Sequence, residues 1–182
     1  MPRIVLVSLL HRHAARFPVY PVAQLCSLLS AHPGKVWLPP CEGEEIAALT
    51  RAAADRPLGQ LASLAQGWCE LGIQPRDGDK AGLALAQYDE ELLDNLTHYW
   101  SSAERINRPI TDNLFELRRE VVDEALGSSL RQGWLKGQQA RLKQLLTNGE
   151  EPQIAFVEVE ACYWLRAQLA EQRGVELIWP EL

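Results

Sequence analysis

The chain has 182 residues, a formal net charge of −6, 47% hydrophobic residues and 23% charged ones. That length supports one well-buried core rather than two, and the acidic balance excludes a non-specific nucleic-acid binder, which needs a basic surface to displace counterions. No run approaches the roughly 20 apolar residues a membrane span requires, and the four cysteines lack CxxC or zinc-ligand spacing, so a cytoplasmic protein with reduced thiols and no membrane partner is expected.

Residues 3–10, RIVLVSLL, form an apolar run enriched in Val and Ile, the pattern of a strand buried on both faces of a parallel sheet. After a basic loop, Val22, Leu25, Cys26, Leu28 and Leu29 share one helical stripe, with Pro21 suited to its first turn. HPG stops that helix, and KVWLPP predicts a second short strand over 35–38, ended by its prolines. Strand, helix and strand make a βαβ unit, whose crossover is right-handed.

From Glu42 to Asn148 the pattern reads as helical throughout. Glu44 and Glu45 lie in a first turn, where the helix dipole favours acids. Asp55 and Pro57 restart a helix through Leu71, closed by Gly72. A turn at PRDGDK precedes an amphipathic stretch over Lys80–Trp100. Asn113 with Glu116, and Ser129 with Gln132, stand at capping-box spacing before the next two helices. Strand chemistry returns at 153–159, followed by the amphipathic ACYWLRAQLAEQR and a last strand at 175–179. The expected architecture is a single Rossmann-like α/β domain over 1–182. It has three layers, a short, mainly parallel sheet and residues 42–148 as a large helical insertion.

In an open parallel sheet, ligands bind beyond the carboxyl ends of the strands, where adjacent connections diverge. Here that selects three loops: His11–Pro18, Pro39–Glu45 and Glu158–Tyr163. The first is the most basic. No Asp or Glu precedes Glu42, whereas Arg3, Arg12, Arg16 and Lys35 do, so the first 41 residues carry +4 and the remainder −10. That asymmetry predicts a positive local field. Arg12 and Arg16 are suited to a bidentate grip on phosphate or carboxylate, and His11 or His13 beside them to proton transfer or nucleophilic attack. Glu160 and Tyr163 would face them from the third loop. Glu158 alternates with Glu160 and is read as solvated or paired. Cys162 stands at a helix start, where a thiol pKa falls. His32 suits a helix C-terminus as an imidazolium, and His98, among aromatic residues, is read as structural. No metal site is assigned, and the cofactor is unknown.

The string Arg12-His13-Ala14-Ala15-Arg16-Phe17-Pro18 is similar to the RHGxRxP element of the histidine acid phosphatases. There the His takes the phosphoryl group while the two Arg hold its oxygens. That resemblance implies His13 as a nucleophile between Arg12 and Arg16. DRPL at Asp55–Leu58 looks like an element of the smaller phosphohistidine phosphatases. Ala14 stands where Gly is usual, the match covers seven residues of 182, and no histidine follows His98 to act as the second His of that mechanism. LLHRH together with FVEVEACYWL resembles the TraB-type pattern of paired GxxH elements, with Ser8 and Glu160 in the glycine positions and Tyr163 in place of the second His. P-loop, GxGxxG, GxSxG and HExxH motifs do not occur.

The expected function is a binding protein in a regulatory or accessory role. It takes an anionic small ligand, a nucleotide or phosphorylated metabolite, through Arg12, Arg16 and His13, with His11 beside them and Glu160 and Tyr163 opposite. An alternative is a phosphoesterase-like hydrolase using His13 as catalytic group with Arg12 and Arg16. Another is a structural or interaction subunit, in which the helical insertion and some of the six tryptophans meet a protein partner.

Overall fold

In the computed structural model, which describes residues 1–17, 20–67, 71 and 78–182, β1 (Arg3–Leu9) runs through a 3-10 helix (His11–Arg16) to α1 (Val22–Ala31). Next come β2 (Lys35–Leu38), α2 (Glu44–Ala52) and β3 (Leu61–Ser63). Four helices follow: α3 (Lys80–Tyr99), α4 (Ala103–Ile106), α5 (Pro109–Leu126) and α6 (Ser128–Thr147). The chain ends with β4 (Gln153–Glu158), α7 (Val159–Ala170) and β5 (Glu176–Ile178). The strands form one five-stranded sheet in the order β3-β2-β4-β1-β5, parallel at every pairing.

The apolar run at the start of the chain is buried on both faces because helices cover both. Val5, Val7 and Leu9 point to the side of Leu25 and Leu29 of α1. Ile4 and Leu6, alternating with them, pack with Leu165 and Leu169 of α7 and Trp134 of α6. β4 repeats the pattern, with Ile154 and Phe156 on the first side and Ala155 and Val157 on the second. The β1–β2 connection passes over β4, and the β4–β5 connection passes over β1 in the opposite direction. The two right-handed crossovers therefore lie on opposite faces. Between β1 and β4 the connections part, which is the switch point of an open α/β sheet.

β5 pairs with β1 only as far as Val5 and Ile178. Glu176 N–H donates to Pro2 O, so the peptide groups of even-numbered β1 residues face that edge. Past the end of β5, side chains take over the ladder. Arg166 donates to Leu6 O at 3.2 Å, Ser8 N–H donates to Asn107 Oδ1 at 2.8 Å, and the Tyr20 hydroxyl donates to Ser8 O at 3.4 Å. Arg166 is fixed in turn by Asp112 at 2.5 Å and lies over the Trp179 ring. Buried backbone groups need such partners, and here they anchor α7 and the α4–α5 junction to the central strand.

α5 packs along α7 and also touches α3 and α6. A buried pair, Arg118 to Asp89, joins α5 to α3 through Nε–Oδ1 at 2.7 Å and Nη2–Oδ2 at 2.8 Å. Three expectations about the middle of the chain need correction. Residues 61–63 form a strand at the sheet edge instead of continuing a helix, so the helical insertion lies beyond β3. α5 starts at Pro109, whose missing N–H costs nothing at N1, and not at Asn113. α6 starts at Ser128, straight after Gly127, whose φ of 83° ends α5. The expected helix end at Gly72 and most of the PRDGDK turn lie outside the described residues.

Candidate functional site

β1 ends in a sharp turn. Leu10 is right-handed helical, with φ −82° and ψ −15°, and His11 is left-handed with φ 52°, the one positive φ among described non-glycine residues. A right-handed residue followed by a left-handed one aims successive N–H groups at a common point, an anion-binding concavity. That point is filled by the Glu45 carboxylate from the first turn of α2: His11 N–H donates to Oε2 at 2.9 Å. Among the described residues Oε1 finds no hydrogen-bond partner within ordinary distance. Burial pushes the Glu45 carboxyl up to about 7, against the opposing pull of Tyr20 and of the His11 and Leu10 amides. Burial also raises the neighbouring Tyr20 phenol, with the Glu45 charge adding to the effect. The turn therefore holds a carboxyl group that keeps its proton to a higher pH than an ordinary glutamate does.

The β4 exit meets the β1 exit at one residue, Leu71. Leu71 O lies 3.2 Å from His13 Nε2, and Leu71 N–H donates to Glu160 Oε1 at 3.5 Å. His13 and Glu160, expected to face one another from adjacent strand exits, thus share a single partner. β1 and β4 are neighbours in parallel register from Ile4↔Gln153 to Leu9↔Glu158, so the two loops leave the sheet side by side. Glu158, the last residue of β4, is paired and buried. Arg141 of α6 donates to both of its oxygens, at 2.6 and 3.0 Å, and through Nε to Ala65 O at 2.9 Å. Gly67 is needed beside this pair, because a Cβ there would overlap the Arg141 guanidinium.

The remaining expected residues are spread more widely. Arg16 donates to Glu90 Oε2 at 2.9 Å and to Asp94 Oδ1 at 2.6 Å, which ties the 3-10 helix to α3 and brings acid from the insertion to the basic loop. The Arg12 side chain, Pro18, Trp68 and Cys69 lie outside what the structure describes. Tyr163 stacks on Trp134 at 6.2 Å and borders a separate cavity of about 320 Å³ with Asp112, Arg166 and Trp179. Cys162 corrects the expectation of an acidic thiol: burial dominates, and its pKa is pushed up to about 11. The His32 pKa is lowered, chiefly by burial, so the imidazolium is disfavoured there. His98 is exposed on α3, which corrects the structural reading among aromatic residues.

Sequence reasoning missed Glu45 and Arg141. Glu45 carried a signal, since it lies at the end of a selected loop, yet its place in a helix first turn already explained an acid. Arg141 carried none. Among the described residues no helix is long and apolar enough to cross a membrane, and no three His, Cys, Asp or Glu side chains are grouped to hold a metal ion. No known protein family, curated protein or solved structure matches this chain.

Proposed function

We propose that this protein binds an anionic small ligand, a nucleotide or phosphorylated metabolite, at the turn after β1, in a regulatory or accessory role. One observation carries the reading. The Leu10–His11 turn has the right-handed then left-handed geometry that turns N–H groups toward a common oxygen, and it holds the carboxyl group of Glu45. Its position at the β1–β4 switch point supports the same reading. A phosphate oxygen would exchange for Glu45 on the two amides, with Arg12 supplying positive charge and His13 a hydrogen-bonding ring nitrogen. Arg16 fixes the 3-10 helix against α3, and Glu160 and Tyr163 lie on the β4 side. Glu45 is then an internal competitor whose hold weakens as it gains a proton.

The test is thermal stabilisation by sulfate, phosphate and adenosine monophosphate, with affinities from calorimetry. Saturable binding is expected, weakened about tenfold or more in Arg12→Ala and strengthened in Glu45→Gln. Absence of any shift with all three anions, in both the wild type and Glu45→Gln, overturns the reading. Turnover of a chromogenic phosphate ester that disappears in His13→Ala would replace it with the hydrolase alternative.

A further inference from the structure

We infer that the cavity between the end of α3 and the start of α5 is a binding site for a small monocarboxylic acid with an apolar body, such as a medium-length fatty acid. The cavity measures about 460 Å³, within the range of small-molecule sites, which are mostly apolar with a few placed polar groups. Its walls are Leu96, Trp100 and Leu114, and Tyr99 and Ile110 stand at the lip, 58% and 51% exposed. Large apolar side chains left open beside a cavity mark a surface that gains from being covered.

The polar atoms of the wall are already used. Trp100 Nε1 donates to Thr111 Oγ1 at 2.9 Å, and the Thr111 hydroxyl donates to Arg105 O at 3.1 Å. A ligand body therefore needs to bring no hydrogen bonds to that wall, and a hydrocarbon can desolvate it without leaving polar groups unpaired. Charge occurs only at the mouth, from Glu104, Arg105 and Arg108. Glu104 and Arg108 pair with one another. Arg105 makes no ion pair among the described residues, so the mouth carries one uncompensated positive charge. An apolar pocket with a single cation at its rim selects one negative head on an apolar tail over a neutral or cationic analogue. This site is separate from the β1 exit, and its fate is independent of the anion site proposed there.

Sodium decanoate, decanol and decylamine, each below its aggregation threshold, test the assignment by calorimetry on the whole chain. Decanoate is expected to bind saturably at one site, about tenfold or more tighter than decanol, with decylamine weakest. Arg105→Gln is expected to remove most of that tenfold preference while leaving decanol binding unchanged, and Ile110→Glu to abolish decanoate binding. Both positions are exposed, so folding should survive, and the comparison of the three ligands decides the matter on the wild type alone. Failure of decanoate to bind, equal affinity for decanoate and decanol, or a decanoate affinity unaltered by Arg105→Gln overturns the proposal.

Discussion

Glu158 and Glu45 are both buried carboxylates at strand exits, 4% and 3% exposed, and the fold holds them in opposite ways. Glu158 meets a guanidinium that grips both of its oxygens and is itself fixed to a backbone carbonyl. Charge is met by charge, and the pair locks α6 to the end of β4. Glu45 is met by amide N–H groups and a phenol, and burial outweighs them. A carboxyl whose pKa burial pushes up, and which accepts from the His11 N–H with no guanidinium against it among the described residues, is held less firmly than Glu158. The comparison separates a group that holds the fold from a group at the turn where we propose that an anion binds.

The largest effect expected from breaking that contrast is at Arg141. Arg141→Ala leaves Glu158 buried without its partner and should cost about 3–5 kcal/mol of stability in urea denaturation. A loss under about 1 kcal/mol would mean that water reaches the pair. Glu45 sharpens the contrast by its sign. Its folded pKa lies above the ordinary 4.5, so the folded state binds the proton more tightly than the unfolded state does. Stability from this group is complete below about pH 4.5 and is lost as the pH rises through about 7, by on the order of 3 kcal/mol. Glu45→Gln should flatten the curve between pH 5 and 8. A wild-type stability that rises over that interval, with the variant following it, would contradict the assignment.

Smaller effects are expected away from the two carboxylates. Asn107→Ala strands the buried Ser8 N–H past the end of β5, at a cost of about 1–3 kcal/mol in thermal denaturation. Arg16→Ala removes a partly exposed link to Glu90 and Asp94 and should cost less than about 1 kcal/mol. A larger loss at Arg16 would show that the 3-10 helix depends on α3 for its shape.

Periodicity made the centre of this fold legible, and its edges much less so. β1 and β4 read correctly because both faces are covered, which leaves a continuous apolar run in the sequence. β3 did not, since three residues at a sheet edge, Leu61–Ser63, alternate too briefly to outweigh helical surroundings. The starts of α5 and α6 were misplaced because capping-box spacing competes with Pro109 and Gly127, and backbone geometry decides such contests. At the site, adjacency of the β1 and β4 exits was an expectation that sheet order could not supply in advance; in the fold His13 and Glu160 each reach Leu71. The turn at His11 could not be read either, because a left-handed residue other than glycine leaves no mark in composition. Arg16 looked like a ligand for anions, and its acidic partners on α3 lie 74 and 78 residues further along the chain.

The proposed exchange of Glu45 for an external oxyanion is tested most directly by following the backbone amides in two-dimensional NMR of Glu45→Gln titrated with sulfate, which does not change charge across neutral pH. The amide resonances of Leu10 and His11 are expected to shift saturably, at lower sulfate concentration than in the wild type. Resonances at that turn that stay in place while sulfate binds elsewhere, or that respond identically with and without the Glu45 carboxylate, would contradict the account.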